Sequence, residues 1–385
     1  PTMPWTETVT MQRLEFILAC QAGEETITDI CRRHGISRKT GYKWLNRFDP
    51  HVLSSLEDLS RARLSQPDKI PPDTAARLIR FREAHPDWGP KKIRHWFINH
   101  DADFIVPAAS SIGDLLAEHG LVIPRLKRKR TPGNRKNLTV TERNNQVWCA
   151  DFKGRFRLKD RSYCRPFTLT DNNSRYVLAC EAGSAESRLF VHNCLSRAFR
   201  ECGLPDVMRT DNGAPFAGPG IAALTQLSVW LIKLGIHPER IEPGKPQQNG
   251  RHERMHKSLK AAMSHGNIFQ TLEEQQAWFS HWREEFNHER PHESLGDKPP
   301  ASHWRPSERQ WDGREPEVHY EEGARIYRVR EKGEIRLNGR LFLSEALKGE
   351  DVEFREVDER LDAIHFGKML LAYYDRAERR IIRID

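Results

Sequence analysis

No stretch of these 385 residues approaches the ~18 consecutive apolar positions that a membrane-spanning helix needs, and the mean hydropathy is −0.73. A membrane role is not expected. The opening Pro1-Thr2-Met3-Pro4-Trp5 lacks an apolar stretch behind a basic start, so no signal peptide is expected. Cysteine is scarce and poorly spaced for staples. The seven (Cys20, Cys31, Cys149, Cys164, Cys180, Cys194 and Cys202) are odd in number and contain no CxxC pair. That argues against a disulfide framework and for a reducing, cytoplasmic compartment. Cys31 and His34 form a lone pair, too few ligands for a structural zinc module. Hydrophobic residues still reach 37%, enough for packed cores, so wholesale disorder is excluded. The length implies two to four domains.

Acidic side chains are in deficit, and unevenly so. The net charge is +8. Residues 1–140 carry 23 basic against 16 acidic side chains, whereas residues 316–385 carry 14 against 16. A positive field confined to the first third favours a polyanionic partner, nucleic acid above all.

That first third reads as helices. Met11, Leu14, Ile17 and Leu18 fall at helical spacing. Thr28 is expected to cap a short helix to His34, Gly35 to stop it in the left-handed conformation, and Ser37 to cap a second helix. Ile30, Ile36, Leu45 and Phe48 are the expected core. A short helix, a glycine turn and a capped basic helix make a helix-turn-helix. Its second helix would present Arg38, Lys39, Thr40 and Lys43 to bases in the major groove of duplex DNA. A second helical block is expected over 61–124, with helices over 73–85 and 91–100 and a third from Ser110 or Ser111 to Gly120. Residues 125–136 hold seven basic side chains in twelve, with Pro and Gly among them. This is a linker whose Arg128, Lys129 and Arg130 would lie along phosphates.

From about 141 the texture changes to strands and helices. Strands are expected at 147–152, 165–170, 176–180 and 206–210, and helices at 187–202, 221–234, 250–265 and 272–287. That pattern implies a mixed sheet covered by helices. Residues 288–316, rich in Pro and His, read as a connector, and 317–385 alternate in short runs as a small all-β domain. The expected divisions are 1–60, 61–124, 125–140, 141–305 and 306–385.

Three acids stand out by position. Asp151 lies inside a strand, flanked by Trp148 and Phe152; Asp211 ends a later strand; Glu253 lies in the first turn of a helix. A carboxylate buried in a strand is costly unless it is paired or binds a cation. Three converging carboxylates repel one another, and hard divalent cations relieve that repulsion. Two such ions can activate an attacking oxygen and stabilise a leaving one in phosphoryl transfer. Lys257 and Lys260, at i+4 and i+7 from Glu253, share its helix face and would point toward DNA, and Asn249 would shape the site or contact DNA. Asp171 reads as turn chemistry in Asp-Asn-Asn-Ser, and His252 and His256 as peripheral.

The blocks Trp-Cys-Ala-Asp151-Phe, Thr-Asp211-Asn-Gly-Ala-Pro-Phe and Pro-Gln-Gln-Asn249-Gly-Arg-His-Glu253-Arg-Met-His-Lys resemble, in order, the three acidic blocks of the DDE superfamily. The resemblance is to bacterial insertion-sequence transposases with a retroviral-integrase-like catalytic domain, and it spans nearly the whole chain. It implies an RNase H-like fold with a five-stranded mixed sheet and helices on both faces. It implies Mg²⁺ or Mn²⁺, two ions per site, held by Asp151, Asp211 and Glu253. It further implies hydrolysis at the element's ends followed by strand transfer from the freed 3′-hydroxyl. The partners it implies are double-stranded DNA, both element ends and target, and further copies of the chain in a homodimer or larger assembly, nucleoid-associated in a bacterial cytoplasm. An inactive DNA-binding regulator, or an RNase H-type nuclease without strand transfer, would fit parts of the same sequence. The 42 positions between Asp211 and Glu253 exceed the retroviral interval, and Gly218-Pro219-Gly220 is expected to absorb the excess in a loop.

Overall fold

The computed structural model describes residues 8–59, 70–122, 138–337 and 339–384. The basic linker, and with it Arg128, Lys129 and Arg130, lies outside the described residues. The chain divides into two compact units, Pro1–Lys69 and Ile70–Asp385.

The first unit holds α1 (Val9–Ala22), α2 (Ile27–Arg33) and α3 (Arg38–Arg47). Each begins on a hydroxyl cap that satisfies an orphan N–H: Thr8 accepts from Met11, Thr26 from Asp29 and Ser37 from Thr40. The α2 cap is Thr26 rather than Thr28, because Thr26 is the last residue with extended backbone before the helix. Gly35 is left-handed as expected, at φ 63°. Phe16, Ile17, Ile30, Cys31, Trp44 and Leu56 form the core, while Met11 and Leu18 face solvent. Gly41 permits the close approach of α3: a Cβ there would meet Cys31 Sγ at 2.6 Å and the Phe16 ring at 2.9 Å.

The second unit opens with α4 (Pro72–Ala84), α5 (Pro90–His100) and α6 (Ala109–Glu118) around Leu78, Trp88, Ile93, Phe97, Ile112 and Leu116. Pro72 and Pro90 sit at the first helical position, where the missing N–H costs nothing. These helices dock on the α/β core through the buried Arg290–Asp87 ion pair at 2.7 Å and a half-buried His85–Glu285 contact at 3.2 Å.

The core contains β1 (Val147–Phe152), a two-residue β2 (Phe156–Arg157), β3 (Tyr163–Asp171), β4 (Val177–Gly183), α7 (Arg188–Cys202), β5 (Val207–Thr210), α8 (Gln226–Lys233), β6 (His237–Arg240), α9 (Gly250–Met263) and α10 (Leu272–Glu284). The main sheet runs β4-β3-β1-β5-β6, with β2 beside the start of β3. β3 is antiparallel to β1 and β4, and β5 and β6 are parallel to β1 and to each other. Trp148, Ala150, Phe167 and Leu169 pack against α7 and α8 on one face. Cys164, Val177 and Cys180 pack against Met255, Leu259, Phe279 and Trp282 of α9 and α10 on the other. This is the expected five-stranded mixed sheet with helices on both faces.

Two expectations are corrected here. The helix foreseen over 221–234 is broken: Ile221–Ala223 form a 3-10 turn, Ala222 and Ala223 are left-handed, and α8 starts only after the Thr225–Ser228 capping box. The segment foreseen as a connector is instead strapped to the core. Ser307 Oγ donates to Leu204 O at 2.7 Å, Arg309 donates to Pro205 O and Leu234 O, and Trp311 packs on Trp230 and Phe199.

The C-terminal region is all-β. β7 (Arg325–Arg328), β8 (Glu334–Arg336), β9 (Arg340–Phe342), β10 (Asp351–Glu356), β11 (Leu361–Phe366), β12 (Met369–Asp375) and β13 (Arg380–Arg383) form an antiparallel sheet ordered β13-β12-β11-β10-β7 and a β8–β9 hairpin. Its core is completed by Ile221, Leu224, Val229 and Ile232 of the α/β core.

Candidate active site

Asp151 leaves the sheet near the end of β1, paired in register with Thr168 of β3. Its side chain is 17% exposed. Burial pushes its carboxyl up to about 7, and the nearby Asp211 and Glu253 carboxylates push it the same way. The charges of Asp211 and Glu253 thus act on Asp151, but among the described residues the ligand atoms that gather within 4.8 Å of one another join Asp151 to His252 and His256 rather than to the other two acids. Asp211 follows β5 directly and accepts from Gly213 N at 3.1 Å through one oxygen. A Cβ on Gly213 would stand 3.1 Å and 3.4 Å from the two Asp211 oxygens, so glycine keeps that carboxylate open. Glu253, in the first turn of α9, has no hydrogen bond or ion pair among the described residues; the helix N-terminus favours its charge.

A second layer was not foreseen. His252 and His256, one turn apart on α9, are buried against β3. Thr168 Oγ1 lies 2.8 Å from His252 Nε2 and 2.7 Å from His256 Nε2, and donates to Asp151 O at 3.1 Å. Thr170 Oγ1 lies 2.7 Å from His252 Nδ1. One proton assignment satisfies every group. With the Thr168 proton on Asp151 O, both Nε2 atoms donate to Thr168, Thr170 donates to His252 Nδ1, and His256 Nδ1 is left as an acceptor. That free nitrogen stands 3.7 Å from Asp151 Oδ2. Burial drives His252 down to about 3 and His256 further, so both rings are neutral. Asp151, His252 and His256 each offer an atom within 4.8 Å of the others. Both nitrogens of His252 are already engaged, however, so the pair serves to fasten α9 to β3. The i, i+4 spacing of two histidines was the available signal.

The remaining foreseen residues are dispersed. Lys257 and Lys260 are exposed on α9, beside the buried stripe of His252, Met255, His256 and Leu259. Asn249 is buried, and its side-chain oxygen has no hydrogen-bond partner. Asp171 is a turn anchor as expected, accepting from Asn145 N, Ser174 N and Ser174 Oγ. In the first unit Arg38, Lys39 and Lys43 are exposed, and Lys43 Nζ lies 4.5 Å from the Trp44 ring centroid.

Sequence comparison matches an integrase core domain at residues 141–246 and again at 234–300, a helix-turn-helix domain at 12–63 and a homeodomain-like domain at 40–116. Residues 141–300 are thus similar to integrase core domains. Relatives include the insertion element IS407 uncharacterized 31.7 kDa protein of Burkholderia multivorans, 28% identical over 244 residues, 62% of this chain and 84% of that one. The insertion element IS476 uncharacterized 39.2 kDa protein of Xanthomonas euvesicatoria is 28% identical over 233 residues, 59% of this chain and 63% of its own. Among solved structures, the HTLV-2 integrase catalytic core domain in complex with magnesium is 15% identical, covers 42% of this chain and 98% of its own, and has a TM-score of 0.34. The simian T-cell lymphotropic virus intasome chain is 16% identical, covers 81% and 98%, and has a TM-score of 0.38. The integrase-core match supports, at the level of class, a polynucleotidyl transferase and in general the use of a divalent metal. The helix-turn-helix domains imply DNA binding. Among the described residues no helix is long and apolar enough to cross a membrane.

Proposed function

We propose that this integrase-core protein is a transposase: it binds the ends of its mobile element, hydrolyses a phosphodiester at each end, and transfers the freed strand to target DNA. The observation that carries the reading is the Asp151 carboxyl, buried and raised to about 7 beside two further carboxylates that have almost no protein partners. The donor set is all oxygen and open, which suits Mg²⁺ or Mn²⁺. Asp151, Asp211 and Glu253 would hold two such ions, which supply Lewis acidity to the attacking and leaving oxygens of an in-line displacement. The protein's own part is positional. β1 and the β5 end fix two carboxylates on the rigid sheet, and the Thr168–His256 contact sets the third through α9. Arg38, Lys39, Thr40 and Lys43 would read element ends, and Arg128, Lys129, Arg130, Lys257 and Lys260 would contact backbone phosphates. Acting on two ends calls for two active centres, hence at least a dimer on DNA.

The test is nicking and joining of a duplex carrying the element's end in Mg²⁺. Wild type is expected to nick and then join; Asp151→Asn is expected to lose at least about a hundredfold in rate. Equal rates for the two proteins would refute the assignment. Nicking without any joined product would reduce the reading to a nuclease.

A further inference from the structure

At the Val147 end of β1, away from Asp151, lies a cleft of about 770 Å³ between the β3–β4 turn, the first turn of α9 and the segment 294–303. Its charged lining is Arg175, Arg251, Lys298 and His303; no carboxylate lines it. Arg175 takes the left-handed conformation, φ 68°, and donates to Asn172 O. Arg251 donates to the same carbonyl at 2.8 Å. Two guanidinium groups therefore converge on one oxygen atom. None of Arg175, Arg251 and Lys298 forms an ion pair among the described residues. Asp171, whose charge acts on Arg175, accepts its hydrogen bonds from Asn145 and Ser174 and from no guanidinium. Burial brings the Arg175 guanidinium down to about 10, and Arg251 and Arg254 add to the fall. Cations gathered with no ion-paired carboxylate among them repel one another in the isolated protein and are favourable against a polyanion. The cleft is open and larger than one phosphate requires, and Arg251 stands two positions before Glu253.

We propose that this cleft is a backbone-binding track in which Arg175, Arg251 and Lys298 hold phosphodiesters of duplex DNA on the same α/β core that carries the acids. The choice of DNA as the polyanion rests on the transposase reading; the anion site itself rests on the arrangement of cations.

The experiment uses the full chain, a random-sequence duplex and EDTA buffer, so that no cleavage intervenes. Affinity is measured against salt for wild type, Arg251→Gln, Lys298→Gln, the double variant and Lys368→Gln, an exposed cation on the distant β11–β12 turn. Lys298 has an exposed side chain without partners, so its replacement leaves the fold intact. Each cleft variant is expected to lose about three- to tenfold in affinity at low salt, and the slope of log K against log salt to become shallower by about 0.9 per lost contact. The same loss is expected on a duplex carrying the element's end, since phosphate contacts carry no sequence. Wild-type affinity and slope in the double variant would overturn the proposal. So would an equal loss from Lys368→Gln, which would reduce the effect to net charge. Loss of binding by the cleft variants, with a wild type that cuts nothing in Mg²⁺, would uphold the cleft and sink the catalytic reading. A wild type that cuts, with cleft variants that bind and cut equally well, would sink the cleft alone.

Discussion

Asp151 costs the fold something before it performs any chemistry. Burial is the larger cause of its rise to about 7, and the Asp211 and Glu253 charges add to it. An aspartate in the unfolded chain releases its proton near pH 4. Between about pH 4 and 7 the folded state keeps a proton that the unfolded state has lost, so stability falls as pH rises through that window. Above it the buried charge costs on the order of 2–4 kcal/mol in metal-free protein. Asp151→Asn, which should abolish activity, is therefore expected to be more stable than wild type by about 2 kcal/mol at pH 8 in EDTA, the gap closing by pH 4. Denaturant unfolding at the two pH values measures it. Mg²⁺ should stabilise wild type at pH 8 and leave the variant unchanged. A variant less stable than wild type at pH 8 would mean that the carboxylate is compensated within the protein. This residue was legible in the sequence because an acid between Trp148 and Phe152 in a strand breaks the local pattern, and such breaks collect at functional sites.

The element that matters most is α9, because Glu253 is only as well placed as the helix that carries it. Apolar packing by Met255 and Leu259 holds it against the sheet, and polar contacts set its position along it. The hydroxyl of Thr168 contributes to this, since it bonds both histidines and the Asp151 carbonyl at once. Thr168→Val keeps the shape and leaves two buried Nε2 donors unpaired. The expected cost is about 1–3 kcal/mol in stability. Turnover should fall at least about tenfold with DNA affinity unchanged, and Thr168→Ser should restore it. Turnover in Thr168→Val equal to wild type would show that the lock does not position Glu253. At this scale the sequence was only partly legible. β1, β3, β4 and β5 and the helices α7, α9 and α10 follow from the sequence pattern, whereas β2 and β6 do not, and the partners of His252 and His256 depend on the β1–β3 register that sets Thr168 opposite Asp151. The break before α8 was hidden by an apolar run in which Ala222 and Ala223, ordinary helix formers, are left-handed. The Gly218-Pro219-Gly220 signal before it and the Thr225 cap were the clues.

At the level of the whole second unit, the residues added between Asp211 and Glu253 are more than slack. The turn at Gly220–Ala223 is the seat of the C-terminal β domain: Ile221 N donates to Leu343 O at 3.2 Å, and Ile221 and Leu224 fill that domain's core. Lys233 of α8 reaches Glu350 at 2.6 Å and Glu315 at 2.8 Å across the same junction. An all-β tail was legible from its alternation, whereas its attachment was not, because the apolar side chains of the seat resemble any other core. Gly220 is where the seat is tightest. A Cβ there would lie 2.6 Å from Ser344 Cβ and 3.2 Å from Ser344 Cα, so the side chain cannot escape by rotating. Gly220→Val is expected to cost about 1–3 kcal/mol by overpacking and to lift the β domain from α8, exposing Val229 and Ile232. Limited proteolysis should then cleave the segment 312–324 several times faster than in wild type. Gly89→Val is the control for a generic substitution, since Gly89 has φ −80° and a Cβ there meets nothing within 4 Å. Because the seat lies between Asp211 and Glu253, a displaced β domain should also slow DNA joining; cleavage of 312–324 at the wild-type rate would show instead that the junction yields around a side chain at 220 and that the β domain is held elsewhere.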